Sequence, residues 1–197
     1  PLVPTPNLSN FEKLEKSQGV KKNKDLKITR LKYDKKFKGG EKEGKLQLRK
    51  FLNETGQTYS KDISSPLTAP TSCSRLSSYI TYGNLSMRYI VNETKKKQTD
   101  LRKKKSRDGW LGSLSAFSSR LRWHCHFIQK LEMQPSLENT NMVRSFDQIR
   151  TDPNMEFFKC WSKGEVGFPM VDACMRFLKN NGWINFCLLY TSPSPRD

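Results

Sequence analysis

The stretch Trp161-Ser162-Lys163-Gly164-Glu165-Val166-Gly167-Phe168-Pro169-Met170-Val171-Asp172-Ala173-Cys174-Met175-Arg176, followed by Gly182-Trp183, decides the fold of this chain. Gly164 supplies a stop for a helix running from about Asn154 to Ser162, which carries Phe157, Phe158 and Trp161. Pro169 suits the first turn of the next helix, because its missing N–H would have no partner there anyway. Val171, Cys174, Met175 and Leu178 then recur at three- and four-residue steps and form one inward face, ending at Gly182. Asp172 and Arg176 stand four apart and can pair along that helix. These residues read as scaffold.

Upstream, the same periodicity persists. A helix is expected from about Ser113 to Glu132, with Leu114, Phe117, Leu121, Ile128 and Leu131 on its apolar side. Ser86 is placed to cap another helix, with Tyr89, Ile90 and Met87 facing inward. That helix runs through Lys95-Lys96-Lys97 towards a basic run from Arg102 to Arg107, which reads as an exposed loop or as a contact for phosphate backbones. Leu48, Phe51 and Leu52 predict a short amphipathic helix ending near Gly56. Ile63 to Pro70 is expected to be a loop, because two prolines and several hydroxyl residues oppose a helix. No segment alternates convincingly as a strand, so the predicted class is mostly α.

The 197-residue chain is 35% hydrophobic and carries 36 Lys+Arg against 19 Asp+Glu, a net charge of +17. That excess favours an anionic partner such as nucleic acid or a phosphate-bearing cofactor, or simply keeps a polar chain soluble. The five cysteines are scattered, odd in number and contain no CxxC pair. They predict neither a disulfide framework nor a zinc site, and they suit a reducing compartment. No apolar run approaches the ~20 residues of a membrane-spanning helix, so no membrane partner is expected. Residues 1–36 are polar and Lys-rich and read as a linker or disordered basic segment. Residues 37–186 read as one helical unit. Residues 187–197, ending in a Ser/Pro-rich string, are expected to be a non-native readthrough tail.

Three segments, in order, resemble the photolyase/cryptochrome family. Ser72-Cys73-Ser74-Arg75-Leu76-Ser77-Ser78-Tyr79-Ile80-Thr81-Tyr82-Gly83-Asn84-Leu85-Ser86 is similar to that family's T-S-R-L-S-P-Y-L-x-x-G-x-L-S. Ser119-Arg120-Leu121-Arg122-Trp123-His124-Cys125-His126-Phe127 is similar to the helix carrying E-L-x-W-R-E-F-Y. The stretch from Trp161 to Trp183 resembles W-x-x-G-x-T-G-Y-P-x-V-D-A-A-M-R…G-W. The resemblance implies a partial helical FAD-binding domain, truncated at both ends. A preceding α/β domain that can carry an antenna chromophore and a following segment that contacts the flavin ring would both lie outside the chain.

The resemblance also implies roles for particular residues. Hydroxyls and a guanidinium in a tight turn can hold phosphate oxygens, and the family uses this turn for the FAD phosphates. That assigns Cys73, Ser74, Arg75, Leu76 and Ser77 to the cofactor, with Cys73 standing where the family has Thr. Tyr59 falls where the family places a flavin-contacting tyrosine. On the substrate side the resemblance assigns Arg120, Trp123, His124, Phe127 and Phe186. Trp123 matches a tryptophan that stacks on an extruded pyrimidine dimer, although taken alone it reads as core. Arg120 replaces an acidic residue, His124 replaces Arg, and Phe186 replaces Asn; Asn185 matches the other half of that polar pair. His124 and His126 flank Cys125, but side chains two apart on a helix diverge, so no metal is expected.

The implied parent is a monomeric deoxyribodipyrimidine photolyase acting on DNA that contains pyrimidine dimers, the alternative being a cryptochrome-type photoreceptor. No catalytic residue is expected within the chain itself, which is expected to be inactive alone.

Overall fold

The computed structural model describes residues 38–147 and 154–191, with backbone alone for the last three. The expected linker at 1–36 and the end of the expected tail lie outside the described residues. The described residues all fall within one compact unit, Lys36–Asp197.

The described residues are helical and contain no strand. Helix α1 spans Glu41–Lys50 and passes through a π turn, Phe51–Thr55, and a 3-10 turn, Gly56–Thr58, into α2, Tyr59–Asp62. Gly56 therefore does not stop the helical path, as the sequence suggested. A Cβ there would stand 2.6 Å from the Phe51 carbonyl oxygen, so glycine serves close approach at this point. The expected loop after Ile63 holds a one-turn helix, α3, Ala69–Ser72, with Pro70 in its first turn, where proline is tolerated. Helix α4 is Ser77–Thr81.

Helix α5, Met87–Lys103, starts where the sequence predicts: the Ser86 hydroxyl accepts from the Tyr89 N–H at 3.2 Å. Helix α6, Trp110–Met133, packs against α5, α2 and the 3-10 turn before α2. Leu48, Phe51, Ile90 and Leu114 are almost wholly buried in the resulting core. Each such side chain stabilises the fold by about 1.5–3 kcal/mol relative to exposure. Phe51, Tyr59 and Phe117 form an aromatic triad with centroid separations of 4.7–5.8 Å.

Two expectations need correction. Leu114, Phe117 and Leu121 are buried, but Ile128 and Leu131, on the same predicted face, remain 47% and 45% exposed. Periodicity marks a face as apolar without specifying a partner, and the described residues leave the second half of α6 uncovered. Asp172 and Arg176 do not pair. Helix α7, Met155–Lys163, is capped by Asn154, whose side-chain oxygen accepts from the Glu156 and Phe157 N–H groups, and it ends at Gly164 with φ 73°. Helix α8, Pro169–Asn181, then begins with Asp172 turned back on that loop. Its two carboxylate oxygens accept from the Val166 N–H at 2.9 Å and the Gly167 N–H at 3.0 Å.

Val171, Cys174 and Met175 are buried on α8 as predicted, and Leu178 is half-buried. Helix α9, Phe186–Thr191, crosses the expected tail boundary at Cys187. No helix among the described residues is long and apolar enough to cross a membrane.

Candidate functional site

The turn from Cys73 to Ser77 is held from several directions. Cys73 leaves α3 in extended conformation, and Arg75 turns the chain through a left-handed φ of 55°. Such a conformation is costly for a non-glycine residue and survives only where its surroundings fix it. Here Leu76 anchors the turn in the core at 2% exposure, and the Gln47 side-chain amide donates to the Ser74 carbonyl at 2.9 Å. The Arg75 guanidinium lies over the Trp183 ring at 4.3 Å from its centre. Beside the turn, Asp62 accepts from the Thr58 and Ser72 hydroxyls at 2.5 and 2.7 Å.

The electrostatics follow from depth. Burial lowers the Arg75 pKa from its ordinary value, while neighbouring Cys73 acts the other way. Burial pushes the Cys73 thiol up to about 11, against the pull of Arg75, so it is neutral at pH 7 and only a weak donor. Ser77 is exposed, and the Leu76 side chain belongs to the core, leaving only its backbone for a ligand.

A half-open cleft of 260 Å³ adjoins this turn, lined by Lys38, Ser77, Ser78, Tyr79, Asn84 and Trp183 among others. Its donors are hydroxyls, an amide and an ammonium, with no carboxylate among them, a set suited to phosphate. The volume lies below the ~300–1,000 Å³ typical of whole cofactor pockets. The wall of the cleft is mostly apolar, and it has no room for a whole dinucleotide. Lys38, Ser78 and Asn84 were not singled out from the sequence. Trp183 was legible only as the end of a motif, without its contact to Arg75.

Tyr59 is 5% exposed, with Phe51 and Phe117 presenting their rings at steep angles to its own. Burial raises its phenol pKa above the ordinary range; Cys73 adds to the shift and Arg120 opposes it. Through Phe117 this buried phenol packs directly on α6.

On α6, the Arg120 guanidinium sits 4.3 Å from the centre of the Trp123 ring, and the Phe186 ring meets that indole edge-on at 6.3 Å. Trp123 is 46% exposed, which corrects the reading of it as core. The structure brings Arg120, Trp123 and Phe186 together from α6 and α9. His124 is exposed, and Phe127 meets His126 at 5.5 Å. Asn185 is buried, and its side-chain amide donates to the Ile63 carbonyl at 2.8 Å, so it braces the start of α9. No group of His, Cys, Asp and Glu among the described residues could hold a metal ion.

Residues 117–189 match a family model described as the FAD binding domain of DNA photolyase. The deoxyribodipyrimidine photo-lyase of Salmonella typhimurium is 29% identical over 140 residues, covering 71% of this chain and 28% of that protein. Cryptochrome-1 of Macaca fascicularis is 31% identical over 152 residues, covering 75% and 24%. A bacterial class III photolyase from Agrobacterium tumefaciens superposes with a TM-score of 0.66 at 24% identity, over 76% of this chain and 29% of that one. This last likeness shows the fold. The chain thus spans about a quarter of the length of the curated relatives it matches. Over about three quarters of its length the chain is similar to proteins of the photolyase/cryptochrome family, and FAD is the cofactor of the domain that residues 117–189 match.

Proposed function

We propose that this chain is part of a deoxyribodipyrimidine photolyase that uses FAD and light to split pyrimidine dimers in DNA. The observation that carries this reading is the packing of Tyr59, on the cofactor side, edge-on against Phe117 of α6 at 5.8 Å, the helix that also carries Arg120 and Trp123. Residues of a cofactor side and of a substrate side therefore adjoin one another.

When bound, FAD supplies a photoexcited electron to the dimer. Ser74, Arg75 and Ser77 would hold its phosphates, with Leu76 locking the turn and the neutral Cys73 thiol adding little. Trp123 presents its open indole surface to an extruded base, and Phe186 walls that surface on one side. The net charge of +17 supports approach to DNA. Because the chain spans only about a quarter of its relatives' length, other sequence of the parent would complete the flavin site, and residues 1–197 alone bind FAD weakly. A monomeric parent, with an antenna chromophore on a separate domain, completes the proposal.

A cryptochrome-type photoreceptor is the second reading. Arg120, which occupies one side of the Trp123 ring where the family pattern has an acid, favours it.

The test uses the full-length parent on ultraviolet-irradiated DNA, following dimer content under blue light and in darkness. Light-dependent loss of dimers supports the photolyase. A yellow protein without repair moves the assignment to a photoreceptor. A parent that stays colourless after reconstitution with FAD overturns both.

A further inference from the structure

We propose that Arg120 determines which ligand the Trp123 surface takes: its guanidinium binds the phosphate of the same nucleotide whose base stacks on the indole. This deepens the nucleic-acid reading above and rests on it.

The geometry defines a small composite platform. The guanidinium carbon stands 4.3 Å from the centre of the Trp123 ring, while Phe186 approaches at an interplanar angle of 89°. With one side of the indole taken by a cation and an aromatic wall beside it, the 46% of Trp123 that remains exposed suits one planar partner. Arg120 is half-buried and makes no ion pair among the described residues. Its charge is thus left for a ligand.

Chemistry then selects the ligand class. A guanidinium offers five N–H donors and no acceptor, and it stays charged at any working pH. It cannot accept from a base N–H, as an acidic side chain in its place could. What it recognises is a phosphate, bound by paired N–H groups, with base carbonyl oxygens as secondary acceptors. The preferred ligand is a single-stranded or extruded nucleotide, recognised by charge and stacking and not by hydrogen bonds to the base edge. Arg122, exposed on the same helix, adds to the local positive field.

The test needs neither flavin nor light. Binding of a fluorescent thymidine hexanucleotide to the 197-residue chain is followed by anisotropy at several salt concentrations, beside the same oligomer with uncharged methylphosphonate linkages. Arg120→Gln is expected to weaken the phosphate oligomer about tenfold, the worth of one charge-assisted hydrogen bond. It should also flatten log K against log salt by about 0.7, the single-strand value for one phosphate contact. The methylphosphonate oligomer should be unaffected. Arg120→Lys should keep the salt slope and lose affinity with the planar stack, and Trp123→Ala should weaken both oligomers. Circular dichroism of each variant checks the fold. Equal loss on both oligomers, or an unchanged salt slope in Arg120→Gln, overturns the role of Arg120 alone. Absence of any binding by the unmodified chain overturns the nucleic-acid reading with it.

Discussion

The Arg75 guanidinium rests 4.3 Å from the centre of the Trp183 ring, tying the left-handed turn before α4 to the residue that follows the C-cap of α8. Removal of the ring in Trp183→Ala should lower stability by about 0.5–2 kcal/mol through the cation–π contact, with lost packing in addition. The backbone at Arg75 yields a sharper comparison. Its φ of 55° penalises any side chain, so Arg75→Gly relieves strain that Arg75→Ala retains. Both lose the guanidinium, yet the glycine variant should be more stable than the alanine variant by about 1 kcal/mol. Urea midpoints at constant m-value check the order.

Asp172 acts on the loop before its own helix, not on Arg176 four residues later. Its 7% exposure and two N–H donors from Val166 and Gly167 make it a buried carboxylate satisfied by backbone. In Asp172→Ala both donors lose their acceptor, at a cost of about 1.5–3 kcal/mol. Asp172→Asn keeps one acceptor and should cost less. Arg176→Ala, at an exposed position, should stay within about 0.5 kcal/mol of the parent. Thermal melts of the three variants separate a loop clamp from an intrahelical ion pair.

The limits of sequence reading appear at these same residues. Caps are local, so Ser86, Asn154, Gly164 and Pro169 marked their helix ends correctly from residue type alone. A carboxylate, by contrast, has both a helical neighbour and a loop within reach, and spacing by itself cannot choose between them. Nor can periodicity name what covers a face: Leu121 and Ile128 carry the same pattern, yet only Leu121 is buried among the described residues. The candidate site divides in the same way. The motif turn was contiguous in sequence and therefore legible. The approach of Phe186 to Trp123 joins α6 to α9 across long-range packing, which no window of sequence contains.

Asp62 should give the fold a measurable acid dependence. The Thr58 hydroxyl, then the Ser72 hydroxyl, hold its carboxylate below the ordinary value of 3.8. A depressed native pKa means that the contribution is complete above the unfolded-state value and is lost as the pH falls through the lower native one. Asp62→Asn should therefore cost only about 0.5 kcal/mol at pH 7, because solvent screens a largely exposed carboxylate. The gap between parent and variant should persist to about pH 4 and close only below it. Urea titrations at pH 7, 5 and 3 test the sign: a gap that widens on acidification would contradict it.

The basic run after α5 allows two physical roles to be separated. Arg102 and Lys103 end the helix, where the partial negative charge of the last carbonyls favours cations by about 0.3–1 kcal/mol each. Lys104 and Lys105 lie past that end, in a turn closed by the Ser106 N–H donating to the Leu101 carbonyl at 3.1 Å. Both are exposed, and neither forms an ion pair among the described residues. Lys104→Gln with Lys105→Gln should therefore leave the melting temperature nearly unchanged. If this turn touches duplex DNA, the pair should reduce the slope of log K against log salt by about 0.9 for each phosphate contact removed, irrespective of lesions. Arg102→Gln should instead lower stability with or without DNA, because its charge also serves the helix. An unchanged salt slope in the double variant would leave the run as helix-terminal charge and solvated surface alone.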